Sequence, residues 1–194
     1  VKLRQVYDDL GEALLGQSAA DLYELQRELQ HVPGFPKGRP GPGGGAEATP
    51  EAVAVVIVAL LAGGARRRTR QRTPHVMALP VCSSGGASGG APNRRAAEPC
   101  RLTSATTFGD AMREALSDSA LAERIRQIIV CRDWGEAAIA WVDDDERLRE
   151  SRFADAAGDL RSIEAERRGS LFSLARMGGG ALAAIAQEIR RDAD

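Results

Sequence analysis

The sequence predicts an α+β protein, with a mostly helical N-terminal part, an Arg/Gly-rich middle, and C-terminal helices joined to a small antiparallel hairpin or three-stranded meander. Three observations carry this expectation. Apolar residues recur at three- and four-residue steps through residues 1–31, the period of an amphipathic helix. A fully apolar run, 52–62, is bracketed by helix-capping residues. Two alternating stretches flank Trp134-Gly135, the pattern of paired strands. Hydrophobic residues make up 43% of the 194, enough to build a core, and only 4% are aromatic, so each ring is expected to anchor packing.

The first helix is expected over 1–16, with Leu3, Val6, Tyr7, Leu10 and Leu14 on one face and Gly16 as its stop. Ser18, with Asp21 three residues on, opens a second helix reaching about His31, with Leu22, Leu25 and Leu29 inward. Two short helices about a Gly-Gln-Ser turn make a helix-turn-helix pattern. The arm from Val32 to Gly45 is rich in Pro and Gly, which forbid a helix, and carries Lys37 and Arg39. Thr49-Pro50-Glu51 then supplies an N-cap, a first-turn proline and an acid at the positive end of the helix dipole. The third helix follows, Pro50 to Ala62, ended by Gly63-Gly64; lacking a polar face, it is expected to be buried or to serve as an assembly surface.

Residues 65–104 read as a flexible linker, with Arg66, Arg67, Arg68, Arg70 and Arg72, then a Ser/Gly-rich tract, then Arg94 and Arg95. The C-terminal part, 105–194, opens with a Thr-capped helix carrying Phe108, Met112, Ala115 and Leu116 and a further turn through Leu121 and Ile125. A hairpin of Gln127–Asp133 and Glu136–Asp143 follows, and Arg147–Phe153 is a candidate third strand. Helical stretches at Asp159–Arg168 and Ala181–Arg191 close the chain, the latter set off from Ser170–Met177 by three glycines. The expected domains are therefore 1–64, the linker 65–104, and 105–194.

The net charge of -1 conceals an asymmetry. Residues 1–101 hold 13 basic and 9 acidic side chains, against 13 and 18 in residues 102–194. Between His31 and Arg101, 10 basic side chains face only Glu47, Glu51 and Glu98. A cationic segment followed by an acidic one suggests a nucleic-acid-facing half. Nearly all the cations are Arg, whose fork matches phosphate oxygens.

The stretch from Leu22 to Leu61 resembles the winged helix-turn-helix head of MerR-type regulators. The residues that carry the likeness are the helix Leu22–His31, Val32-Pro33, the basic arm Lys37-Gly38-Arg39 through Gly45, and Thr49-Pro50-Glu51-Ala52 before an apolar helix. Departures are Ala46-Glu47-Ala48, where that family carries Arg and an aromatic, and the lack of a long dimerising helix after the head. There is also a general likeness to small phage-type regulators. The resemblance implies a head that binds double-stranded DNA. Tyr23, Gln26, Arg27 and Gln30 would face the major groove, where Arg reads guanine and Gln adenine. Lys37 and Arg39 would meet phosphates from the wing, and Arg66, Arg67, Arg68, Arg70 and Arg72 would add salt-dependent attraction.

Enzyme features are weak by comparison. Asp143-Asp144-Asp145-Glu146 sits at a hairpin turn, where adjacent carboxylates point different ways. His31 and His75 have no Ser or Cys at a triad spacing, and Gly43-Gly44-Gly45 lacks the Gly-Lys-Ser/Thr of a phosphate loop. Three Cys without a Cys-x-x-Cys argue against a zinc site and against a disulfide framework. No catalytic residue, metal or cofactor is expected. No apolar run reaches the roughly 18–20 residues of a spanning helix, and no secretory signal is visible, so a cytoplasmic location is expected. The expectation is a non-enzymatic DNA-binding regulator of transcription, with homodimerisation or a protein partner assigned to the acidic C-terminal part. The alternatives are a protein-assembly module and a phage-type DNA-packaging or recombination accessory protein.

Overall fold

The computed structural model describes residues 2–32, 35–38, 45–63, 66–84, 99–132, 135–155 and 174–191. Helix α1, Leu3–Leu15, starts where the Lys2 N–H donates to the Gln5 side chain at 2.8 Å. It buries Leu3, Val6 and Tyr7. Helix α2, Ala19–Leu29, is capped as the sequence suggests: Ser18 Oγ accepts the Asp21 N–H at 3.2 Å. Helix α3, Pro50–Ala62, begins with Thr49 Oγ1 accepting the Ala52 N–H at 3.2 Å and ends at Gly63. Ala52, Val53, Ala54, Val56, Ile57, Val58, Ala59, Leu61 and Ala62 are all buried on it. The apolar run is thus spent inside the chain's own core, and α3 offers no bare face to another protein.

The linker expectation is corrected at two places. Arg66–Met77 forms helix α4 and Val81–Ser84 forms strand β1, where composition suggests coil. The physical reason is a stripe that apolar periodicity does not see. Thr69, Thr73 and Val76 recur at helical spacing and are buried, while the arginines between them carry the polarity. Pro74 lies inside α4 and withholds one backbone donor from the helix. Of the rest of the expected linker, residues 85–98 lie outside the described residues.

Helix α5, Phe108–Ser117, has Thr107 as its cap, accepting the Asp110 N–H at 3.2 Å. The short helix α6, Ser119–Arg124, follows, capped by Asp118. The expected helical turn does not reach Ile125, which instead opens strand β2, Ile125–Cys131. Strands β3, Glu136–Val142, and β4, Leu148–Ala154, continue an antiparallel meander. Strand β5, Leu174–Gly178, occupies part of the Ser170–Met177 stretch and pairs with β2; helix α7, Gly179–Arg191, follows directly. The expected helix at Asp159–Arg168 lies outside the described residues.

The result is an α+β fold on a five-stranded antiparallel sheet of order β1-β4-β3-β2-β5, larger than the two or three strands expected. Strand β1, from the expected linker, and β5 are its edges. Cross-strand pairs build inward layers: Ile128 sits between Ile139 and Met177, and Val130 between Ala137 and Ala175. Ala137 pairs with Phe153, and Phe153 with Val81. Phe108, at the start of α5, packs edge-on against Phe153 with centroids 5.2 Å apart. One hydrophobic cluster runs from Leu3 on α1 through α3 and α5 to Ala186 on α7.

Candidate nucleic-acid interface and its neighbouring hollows

The exposed side of α2 carries part of the expected contact set. Arg27 is 74% exposed and is held by Glu24 one turn earlier, at 2.7 Å. Gln30, the last cap of α2, is exposed, and Gln26 is half-buried. Tyr23 shares that side of α2 by helical spacing, but its ring is half-buried against α1 and is not free to reach outward. Its ring meets Tyr7 edge-on at 5.7 Å, and both hydroxyls are buried without a hydrogen-bond partner among the described residues. Burial pushes both phenols above their ordinary range; the neighbouring tyrosine adds to the shift for Tyr7, and the Asp8 carboxylate adds to it for Tyr23.

The arm after α2 is tied down at both stems. Val32 and Phe35 are buried. The Leu3 N–H donates to Ala46 O at 3.0 Å, and Lys2 Nζ lies 3.4 Å from the Glu47 carboxylate. The stems meet: a Cβ on Gly38 would come within 2.9 Å of Gly45 and Ala46. Lys37 is exposed on the first stem. Arg39 lies outside the described residues.

Helix α4 places its arginines next to α2. It holds five Arg and no acid. Arg70 Nε donates to Glu28 on α2 at 2.8 Å, and Arg68 is exposed. Arg72 is half-buried on the side turned toward the sheet end of α3. Arg66 and Arg67 lie in the first turn; their side chains are outside the described residues. The structure therefore brings Arg27, Gln30, Arg68 and Arg70 onto adjoining helices. Sequence reasoning placed Arg68 and Arg70 on coil and so missed their fixed spacing.

Two hollows adjoin this surface. A cleft of about 520 Å³ lies between α2, the end of α3 and strands β2 and β5. Asp21, Glu24 and Glu28 form one wall; Arg132 and Arg176 stand opposite. The three acids are already engaged by Ser18, Arg27 and Arg70. Beyond Arg132 is a smaller hollow of about 260 Å³, bounded by Ala62, Arg72, His75, Val76, Cys131, Arg132 and Gly135. Arg132 stands between the two, its Nε donating to Leu61 O at 3.0 Å and its Nη2 to Leu60 O at 3.4 Å. It thereby satisfies carbonyls at the end of α3 and offsets the negative pole of that helix.

The acidic turn 143–146 has a structural task. Asp143 accepts the backbone N–H groups of Asp145 and Arg147 at 3.0 and 2.8 Å and the Arg149 guanidinium at 2.6 Å. The Arg147 N–H, followed by the Arg149 side chain, holds this carboxyl below its ordinary range. Asp144 pairs with Arg124 at 3.2 Å, and Arg124 lies over the Trp141 ring at 5.6 Å. Among the described residues no group of three or more His, Cys, Asp or Glu side chains is placed to hold a metal ion. Among the same residues, no helix is long and apolar enough to cross a membrane. Compared with known proteins, the chain matches no family model, no curated sequence and no solved structure.

Proposed function

We propose that this protein binds double-stranded DNA and serves as a non-enzymatic regulator of transcription. The observation that carries the reading is the arginine run of α4, set on a helix beside the exposed side of α2. Arginines at fixed helical spacing can track a phosphate backbone, whereas Arg27 and Gln30 have the donor chemistry to read base edges. The tied arm with exposed Lys37 is the counterpart of a wing, in keeping with the resemblance to MerR-type heads. The mixed charge of the surface, with Glu24 and Glu28 each holding one of these arginines, means that phosphate must exchange with those carboxylates. Such pairs are solvent-exposed and worth at most about 1 kcal/mol each, so a dense polyanion can displace them.

Titration of the full chain with a duplex, followed by fluorescence anisotropy at several salt concentrations, tests this. Affinity should fall steeply with salt, with a logarithmic slope of about -0.9 for each phosphate contacted. Substituting Arg68 and Arg70 together by Gln should weaken all duplexes alike and flatten that slope. Substituting Arg27 and Gln30 by Ala should relax sequence preference. Absence of binding at low salt overturns the reading. The assembly-module alternative has little in its favour: the apolar helix is internal, and Leu148 is the one large apolar side chain that stands exposed among the described residues.

A further inference from the structure

The smaller hollow gathers nitrogen-bearing side chains. Its described lining holds Arg72, His75 and Arg132 and no carboxylate. Among the described residues, neither Arg72 nor His75 makes a hydrogen bond or an ion pair, and Arg132 keeps its Nη1 free of the two bonds to α3. Three nitrogen-bearing side chains from α4 and the end of β2 thus face one space, with donor capacity unspent.

Two glycines in the left-handed region set this arrangement. Gly63 has φ +58°, and a Cβ there would lie 2.5 Å from Arg132 Nε. Gly135 has φ +61°, and a Cβ there would lie 2.7 Å from His75 Nε2. At each place the missing Cβ leaves room for one of the nitrogen side chains to approach the backbone, at a conformation that other residues rarely adopt. The nearest buried acid is Glu136, which pairs in register with Cys131 but does not line the hollow. The carboxyl-terminal pole of α3 would repel an anion, and Arg132 already covers its last carbonyls.

The geometry points to a binding site for a tetrahedral oxyanion of the phosphate class, held by the Arg72 and Arg132 guanidiniums and the His75 ring against the Gly135 turn. Guanidinium forks match phosphate oxygens in number and direction. The volume falls below the roughly 300–1,000 Å³ of sites for drug-sized ligands, which suits a single phosphate group. Cys131 and Val76 line the same space, so the ion sits against a partly apolar wall that strengthens its charge contacts.

The inference stands apart from duplex binding, because the hollow faces the end of α3 and not the outer side of α2. The test is isothermal titration of the full chain with inorganic phosphate at constant ionic strength, alongside acetate and chloride. Phosphate should bind at least tenfold more tightly than either comparison ion. Arg72→Gln and His75→Gln should each weaken phosphate at least tenfold with the melting temperature preserved. Arg4→Gln, an exposed arginine on α1 outside the hollow, should leave it unchanged. Equal affinity for acetate or chloride, or full phosphate binding in both hollow variants, overturns the site. Repeating the titration with duplex present separates the sources. Loss of phosphate binding identifies the occupant as a nucleic-acid phosphate, and retention identifies a free phosphate or small phosphomonoester. A chain that binds phosphate here but binds no duplex keeps this site and loses the proposed function; the reverse result loses only the site.

Discussion

Helices α3 and α4 are near neighbours in sequence, with three residues between them, and they obey opposite rules. Helix α3 is apolar on every side and sits in the centre of the core. Helix α4 is among the most polar segments of the chain, yet it also buries a stripe. The first is held chiefly by burial, with Thr49 and Arg132 bonding its two ends, the second by three positions, two of them Thr, and by its neighbours. The contrast teaches that an amphipathic helix need not announce itself by apolar residues. A short hydroxyl side chain can fill an inward position, provided that the flanking arginines remain in water.

The comparison can be broken most sharply from the α3 side. Ile57→Ala removes a side chain that is 1% exposed at the heart of the cluster. It should cost about 3 kcal/mol in denaturant unfolding, within the usual range for Ile→Ala in a packed core. A loss below about 1 kcal/mol would mean that α3 is not the centre of the core.

Next comes the junction. Gly63→Ala forces an extended ψ at positive φ and drives a methyl group into Arg132. It should destabilise by about 2 kcal/mol, the range for a residue held in a region of backbone space essentially reserved for glycine. An unchanged melting temperature would show that the backbone at Gly63 relaxes freely.

On the α4 side the sign reverses. Thr73 is fully buried and its hydroxyl has no partner among the described residues. Thr73→Val should therefore stabilise the protein by about 1 kcal/mol, because it replaces an unpaired polar group by an apolar one of similar shape. A loss of stability would mean that the hydroxyl is used. The smallest effect is expected at the surface tie from Arg70 on α4 to Glu28 on α2. Arg70→Ala should shift stability by less than about 0.5 kcal/mol, and the shift should vanish in high salt.

These helices also show where the sequence was legible. The caps at Ser18, Thr49 and Thr107 and the pattern around Trp134-Gly135 could be read locally, because each depends on residues within a few positions of one another. Helix α4 could not be found that way, since its inward face is Thr and its outward face is the Arg run that signals coil. Strand β1 is four residues whose pairing partner, β4, lies some seventy positions away. Strand β5 is a short run that local reading only sets apart from the last helix, and its partner β2 lies more than forty positions away. At the candidate interface, Arg27, Gln30 and Lys37 were recognisable as exposed, whereas Tyr23 was not recognisable as a partner of Tyr7. The Arg72–His75–Arg132 hollow was invisible, because α4 and the β2–β3 turn meet only in three dimensions.

The sheet's order has a kinetic consequence. Its three middle strands are consecutive, so they can zip together through two short turns. Both outer strands arrive from afar, and each must close a long loop before it gains any ladder bonds. Assembly should therefore run from the centre outward, with β2–β3–β4 protected early and β1 and β5 late. Pulse-labelled exchange during refolding would read this order directly, and early protection of the β5 ladder amides would contradict it.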